Sequence, residues 1–126
     1  MTRVLDAGAL LALERNDREL WAALKLAALN GEDIDVPSTA LAQAWRGGPR
    51  QAQLAKALEH CVIGAFDPVA RRVGELCGRT RTADICDAHV AILAAGEGTI
   101  LYTSDPDDLR RLLRACGTRR PRLVVC

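Results

Sequence analysis

Short apolar runs alternate with longer segments of helical periodicity along the chain. The apolar runs predict strands at Arg3–Leu5, Ile34–Val36, Val62–Ala65, Thr99–Tyr102 and Leu123–Val125. The segments between them predict helices at Ala9–Glu14, Glu19–Leu29, Ser38–Arg46, Gln51–Glu59, Asp67–Cys77, Asp84–Ala95 and Asp105–Arg114. Strands that alternate with helices form βα units. The pattern therefore predicts a single α/β domain over residues 1–126, with a mostly parallel sheet flanked by helices on both faces.

Capping and turn-forming residues mark the expected helix ends. Ser38 is expected to cap the third helix, and Gly47-Gly48-Pro49 breaks the chain after it. Asp67-Pro68 and Asp105-Pro106 each predict a cap followed by proline at the first helical position. The polar stretch Arg79–Thr82 is expected to be a loop.

Composition indicates a soluble protein with an aliphatic core. Hydrophobic residues make up 49% of the chain, and aromatic residues only 3%. The net charge of +1 gives no global case for nucleic acid, although nearly all basic residues are arginine, which suits phosphate contacts. The five cysteines are widely spaced without a CxxC pair, so neither disulfides nor a zinc site is expected. No run approaches the roughly 18 apolar residues of a membrane span, and we expect a cytoplasmic protein.

Several aspartates fall where parallel strands end or helices begin. Asp6 follows the first predicted strand, Asp105 follows the fourth, and Asp84 and Asp87 open the helix before the fourth. Strand ends and helix starts share one edge of such a sheet, where ligands bind, so these side chains could converge. Clustered carboxylates repel one another unless a cation neutralises them, and oxygen ligands favour Mg²⁺ or Mn²⁺.

Helix capping is the alternative explanation for most of these acids. Asp84 and Asp105 stand at cap positions, and Asp107 and Asp108 fall in a first turn, where the helix dipole favours negative charge. Asp87 differs, because the helix that follows it is apolar nearly all round and should be buried. A carboxylate there needs a metal ion or an arginine partner.

Three segments taken together resemble the PIN-domain family, and in particular the VapC-type toxins of bacterial toxin–antitoxin pairs. They are Val4-Leu5-Asp6-Ala7, Asp84-Ile85-Cys86-Asp87-Ala88 before an alanine-rich helix, and Thr103-Ser104-Asp105-Pro106-Asp107-Asp108-Leu109. Val36-Pro37 before a helix and the stretch Arg46–Arg50 also fit. The resemblance covers the whole chain and rests on the order and spacing of short motifs.

The resemblance implies a Mg²⁺- or Mn²⁺-dependent endoribonuclease that cleaves tRNA or mRNA, forms a homodimer and is neutralised by a small antitoxin protein. Asp6, Asp87 and Asp105 then correspond to the family's first, third and fourth catalytic and metal-binding acids. The auxiliary residues would be Asp84, Asp107 or Asp108, and Thr103 at the pocket floor. The family's second acid is a glutamate, and the matching residue here is Gln43.

Gln43 leaves two interpretations open. Its amide can still orient water or an ion, but it carries no charge, so the chain could instead be an inactive PIN-fold module that binds RNA or protein. Thr39, Gln43 and Arg46 are expected on one helix face, and Arg46 and Arg50 are candidate RNA-phosphate contacts.

Two other enzyme classes fit the residues less well. A receiver-like or aspartyl-phosphatase domain would need a lysine near a late strand or a second aspartate at position 8, but no lysine follows Lys56 and position 8 is Gly8. A nucleotide-binding enzyme would need a glycine-rich phosphate loop, and neither of the usual loop motifs is present.

Overall fold

A computed structural model describes residues 1–117 and 120–126 of the chain. The strands are β1 (Thr2–Leu5), β2 (Asp33–Pro37), β3 (Val62–Gly64), β4 (Thr99–Thr103) and β5 (Arg122–Val125). The helices are α1 (Ala7–Glu14), α2 (Arg18–Leu29), α3 (Ser38–Ala44), α4 (Ala52–Leu58), α5 (Ala70–Thr80), α6 (Ile85–Ala94) and α7 (Pro106–Cys116). Short 3₁₀ turns at Pro49–Gln51 and Asp67–Val69 precede α4 and α5.

The five strands form one parallel sheet in the order β3-β2-β1-β4-β5. In chain order, β2 and β3 are added on one side of β1, and β4 and β5 are then added on its other side. The strand order reverses between β1 and β4, and at such a reversal the following loops diverge and leave a crevice beyond the strand ends. This crevice is where the structure places the acids discussed below.

Helices cover both faces of the sheet, as the sequence predicted. Right-handed crossovers place the helices that connect β1, β2 and β3 on one face of the sheet. They place the helices that connect β3, β4 and β5 on the other face. In agreement with this, α1 packs against α2, α3 and α4, and α5, α6 and α7 pack against one another, while α3 also contacts α6. The α/β class and the parallel sheet are thus confirmed.

The core is aliphatic, as the small aromatic fraction predicted. Val4 and Leu5 on the central strand β1 and Leu101 on its neighbour β4 have no solvent exposure. Helix α6 is the most deeply buried helix and supplies the buried run from Ala88 to Ile92. Because α6 lies against β1, β2 and β4, its first turn is fixed relative to the ends of these strands.

Three predicted boundaries were wrong. Helix α3 ends at Ala44 rather than at Arg46, and Ser38 makes no capping hydrogen bond because it is already helical. Asp67 does not cap α5 but lies in the 3₁₀ turn, where the N–H of Val69 donates to the carbonyl of Phe66. Helix α5 continues through Thr80, so only the end of the predicted Arg79–Thr82 loop is a loop, with Arg81 in the left-handed conformation.

Two further features concern the chain as a whole. All five cysteines are free and partly buried. Among the residues that the structure describes, no helix is both long and apolar enough to cross a bilayer.

Candidate metal centre

The ends of β1 and β4 bring the first acids together. The N–H of Asp6 continues the β1–β4 pairing by donating to the carbonyl of Tyr102, 3.2 Å away. Asp6 is then the N-terminal cap of α1, while Thr103 ends β4 and Asp105 precedes α7. The start of α6 approaches the same crevice. Three helix N-termini therefore lie at one edge of the sheet, where the helix dipoles favour negative charge.

Three carboxylates form a compact group at this edge. Asp87 lies in the first turn of α6, and Asp105 and Asp108 lie at the start of α7. One oxygen from each lies within 4.8 Å of the others. Asp105 and Asp108 are three residues apart and so share a helix face. We call Asp87, Asp105 and Asp108 the acidic triad.

Asp6 lies close to the acidic triad but is more deeply buried than its members. Its carboxylate accepts the N–H of Ala9 at 2.8 Å and is also hydrogen-bonded by the Thr103 hydroxyl and the N–H of Ser104. Burial raises its pKa, although these hydrogen bonds act in the opposite direction and Asp105 adds a small repulsion. Asp6 is thus held rigidly beneath the site, with its charge partly compensated by the backbone.

Thr103 connects Asp6 to the acidic triad. It has no solvent exposure, donates its hydroxyl to Asp6 and accepts the N–H of Asp105 at 2.8 Å. Both hydrogen-bonding capacities of the hydroxyl are used within the site. Thr103 thus lies between Asp6 and Asp105, and its role at the floor of a pocket stays a prediction.

The electrostatics of the site favour a bound cation. Burial, the neighbouring Asp84, and the charges of Asp105 and Asp6 together raise the pKa of Asp87 to about 7. Burial and contact with Asp108 also raise the pKa of Asp105. Such carboxyls hold protons unless a positive charge arrives to replace them.

The auxiliary acids divide into two kinds. Asp84 is exposed and caps α6, because its carboxylate accepts the N–H of Asp87 at 2.9 Å. Its negative charge adds to the potential at the triad. Asp107, in contrast, is 94% exposed at its side chain and pairs with Arg110 at 3.4 Å. Of the two residues that the sequence could not separate, only Asp108 lies within the triad.

Gln43, Arg46 and Arg50 are not members of the acidic triad. Together with Glu14 they line a cavity of about 350 Å³ beside α1 and α3. The guanidinium of Arg46 turns back to donate to the carbonyls of Ala42 and Trp45, at 3.1 and 2.7 Å. Arg46 therefore shares no helix face with Gln43, and that expectation was wrong.

The reason is Gln51, which sequence reasoning missed. This buried side chain accepts the N–H groups of Arg46 and Gly47, at 2.7 and 2.9 Å. Its amide nitrogen donates to Glu14 and to the carbonyl of Ala44, at 2.7 and 2.8 Å. These four bonds end α3 and fix the glycine-rich turn. A glutamine beside a Gly-Gly-Pro break gives no local signal of such a role.

The nearby thiol of Cys86 and imidazole of His89 are not suited to bind a metal ion together with the acids. Burial raises the pKa of the Cys86 thiol to about 11, so it stays protonated at neutral pH. His89 has no solvent exposure, its Nδ1 lies 2.8 Å from the Thr39 hydroxyl, and its ring meets Phe66 edge-on. The donor set is thus carboxylate oxygen, which fits a hard divalent cation such as Mg²⁺ or Mn²⁺.

Neither a protein-family model nor a curated protein sequence matches the chain. The chain does superimpose on a chain of the crystal structure of VapBC2 from Rickettsia felis bound to a DNA fragment from their promoter. The TM-score is 0.72, and the match covers 99% of this chain and 98% of the other at 19% identity.

The chain has the fold of this chain of the VapBC2 structure. The resemblance drawn from the short sequence motifs is thereby confirmed at the level of the fold. At this identity the likeness carries no residue roles. The assignment of Asp6, Asp87 and Asp105 as ligands of a PIN-type centre therefore stays a prediction that the geometry supports.

Proposed function

We propose that this PIN-fold chain is a divalent-metal-dependent endoribonuclease and the toxin of a toxin–antitoxin pair. The observation that carries the proposal is the acidic triad at the strand-order reversal, with its oxygens within 4.8 Å of one another. A hydrolase that acts on phosphodiesters needs a positive charge beside the scissile phosphate, and these three carboxylates are arranged to hold one.

Asp87, Asp105 and Asp108 would hold a Mg²⁺ or Mn²⁺ ion, with Asp6 close enough to ligate a second ion or to bind through water. When bound, such an ion polarises the phosphate and lowers the pKa of a coordinated water molecule. The chain's own residues prepare the site in two ways. The hydroxyl of Thr103 fixes Asp6 relative to Asp105 by hydrogen bonds to both. The carboxylate of Asp84 accepts the N–H of Asp87. Both arrangements reduce the reorganisation needed when substrate binds.

The same acids control when RNA can approach. Without a cation, four or five carboxylates face an incoming phosphate and repel it. Because the pKa of Asp87 is about 7, a proton competes with the cation near neutral pH. Metal affinity, and with it cleavage, should therefore rise between about pH 6 and pH 8.

The proposed partners follow from the same resemblance. A small antitoxin protein would neutralise the activity, and the chain would act as a homodimer in the cytoplasm on tRNA or mRNA. The structure that this chain matches is VapBC2 bound to a DNA fragment from their promoter. The proposal of an antitoxin partner is supported by that match together with the sequence resemblance.

Cleavage assays with purified protein test the function. A mixture of tRNA and mRNA is incubated with Mg²⁺, with Mn²⁺ and with chelator, using wild type, Asp87→Asn and the matched control Asp107→Asn. We expect metal-dependent cleavage by wild type and by the control, and a loss of at least about a hundredfold in Asp87→Asn. Equal activity of Asp87→Asn and wild type would refute the proposed centre.

A binding module is the second candidate, and Gln43 favours it. No carboxylate stands at the position of the family's glutamate, and the uncharged side chain of Gln43 lines a cavity together with Arg46 and Arg50. RNA binding without cleavage under either metal would support this second candidate and exclude the nuclease.

A further inference from the structure

Positive charge is concentrated on one exposed surface next to the acidic triad. Helices α5 and α7 pack side by side and carry six exposed arginines, and Arg81 follows the end of α5. Arg71 lies about 100° round α5 from Arg72 and does not belong to the same face. We define this arginine face by its members: Arg72, Arg79, Arg81, Arg110, Arg111 and Arg114.

Contacts between the two helices make the arginine face continuous. The guanidinium of Arg111 donates to the carbonyl of Thr80 at 2.7 Å and so ties α7 to the end of α5. Burial raises the pKa of the Cys116 thiol at the end of α7, while Arg79 and Arg72 act to lower it, so both side chains lie near this helix. Arg72 and Arg79 are two turns apart and share a face of α5.

The arginine face begins at the metal centre. Arg81, at the end of α5, lies three residues before the capping Asp84, and α7 starts with the acids Asp105 and Asp108. Among the described residues, the single ion pair on this face joins Arg110 to Asp107. Arg72 and Arg79 take part in none of the described ion pairs, and the nearest acid on the same helix is the exposed Glu75, about one turn from each.

We propose that the arginine face binds the phosphate backbone of single-stranded RNA and leads the strand into the acidic triad, an inference that rests on the proposed nuclease function. Charge complementarity selects the ligand, because arginine forks match phosphate oxygens. Helix α5 has 11 residues and is about 16 Å long, which matches about five nucleotides at ~3.4 Å each.

This assignment differs from the one based on sequence. The guanidinium of Arg46 donates to the carbonyls of Ala42 and Trp45, and it lines the same cavity as the carboxylate of Glu14. Its charge is therefore partly satisfied within the protein. Arg72 and Arg79 have no described hydrogen bonds of this kind and stand on a rigid helix, so we expect them to contribute more to binding than Arg46.

A charge-matched pair of double variants tests the proposal. Arg72→Gln/Arg79→Gln removes two charges from α5, and Arg18→Gln/Lys25→Gln removes two from α2 on the opposite face of the sheet, with the same seven-residue spacing. Glutamine is a good helix former, so both variants should fold. Binding of a labelled 12-nucleotide single-stranded RNA is measured by fluorescence anisotropy with Ca²⁺ in place of Mg²⁺, so that the acids are neutralised, and gel electrophoresis of the same samples checks that the RNA stays intact.

The expected result is a loss of roughly tenfold in affinity for the α5 variant at low salt, with the slope of log affinity against log salt reduced by about 1.4. The α2 variant should bind nearly as wild type does. Equal losses in the two variants, or no RNA binding by wild type, would overturn the proposal. Preferential binding of duplex DNA through the same arginines would also overturn it.

The assay separates this inference from the proposed function. If wild type fails to cleave RNA with any metal but the α5 variant alone loses RNA binding, the nuclease fails and the RNA surface stands. If wild type cleaves and both variants bind RNA equally, the nuclease stands and the arginine face fails.

Discussion

Gly8 and Ser104 approach so closely that a Cβ atom on Gly8 would lie 1.8 Å from Ser104 Oγ and 2.6 Å from Ser104 Cβ. Rotation of the hydroxyl could relieve the first contact, but the Cβ of Ser104 is fixed by the backbone. The same added atom would lie 3.3 Å from Oδ1 of Asp6. Glycine at position 8 is therefore what allows β4 to end against the start of α1, with the N–H of Ser104 on Asp6.

Gly8→Ala is expected to destabilise the protein by about 1–3 kcal/mol, because an overpacked contact must shift the backbone. The shift should also weaken the hydrogen bond between Ser104 and Asp6. Urea unfolding measures the first effect and Mg²⁺ affinity the second. The double variant Gly8→Ala/Ser104→Gly removes both clashing atoms and should recover most of the loss, whereas Ser104→Ala in the same background keeps the Cβ and should not. Equal recovery by the two double variants would contradict this account.

The convergence of the acids was predictable because it follows from topology. Asp6 and Asp105 follow strands, and parallel strands that alternate with helices must end at one edge. The apolar sequence after Asp87 placed that carboxylate at the start of a buried helix. These inferences needed only periodicity and the order of elements, and the PIN fold was expected from the same residues.

What could not be predicted depended on side-chain contacts across the fold. The choice between Asp107 and Asp108 depends on the direction of α7 relative to α6, which no local pattern specifies. The position of Arg46 depends on Gln51, a residue that acts on α3 from beyond a turn. The arginine face likewise appears only when α5 and α7 are packed together.

Thr103→Val is expected to loosen the metal centre while preserving side-chain shape. Valine removes the donor to Asp6 and the acceptor for the N–H of Asp105, and both groups are left without that partner. Losing these bonds should cost about 1–2 kcal/mol in unfolding free energy and raise the pKa of Asp6 further. Thr103→Ser retains the hydroxyl and should keep Mg²⁺ affinity near that of wild type. Similar Mg²⁺ affinities for the valine and serine variants would show that the hydroxyl does not position the acids.

Metal-free stability should depend on the protonation of Asp87. The pKa of Asp87 in the folded protein, about 7, lies above its ordinary value near 4. The folded state therefore binds this proton more tightly, and the resulting stabilisation is complete below about pH 4 and is lost as the pH rises through 7. The full shift corresponds to about 4 kcal/mol, but Asp87 is only half-buried, and solvent screening reduces the expected effect to about 1–2 kcal/mol.

Asp87→Asn should consequently be more stable than wild type in chelator at pH 8, and nearly equal to it at pH 4. Saturating Mg²⁺ should reverse the order at pH 8, because wild type then gains binding energy that the variant lacks. Asp107→Asn, at an exposed carboxylate in the first turn of α7, is the control and should show no such dependence on pH or metal. A pH-independent difference between wild type and Asp87→Asn would contradict the assigned cause.

Gln43→Glu is expected to improve metal binding and cleavage. Gln43 is one turn beyond Thr39, whose hydroxyl contacts His89 on α6, so a carboxylate at position 43 would add negative potential on the side of the crevice formed by α3. For a divalent ion several ångströms away in a solvated site, this is worth about 1 kcal/mol, or about fivefold in affinity. Mg²⁺ titration of cleavage measures the effect.

Gln53→Glu makes the same change on α4, away from the crevice, and should leave the Mg²⁺ requirement unchanged. Equal effects of the two variants would mean that charge at position 43 has no special role, and that the glutamine does not limit the activity of the site.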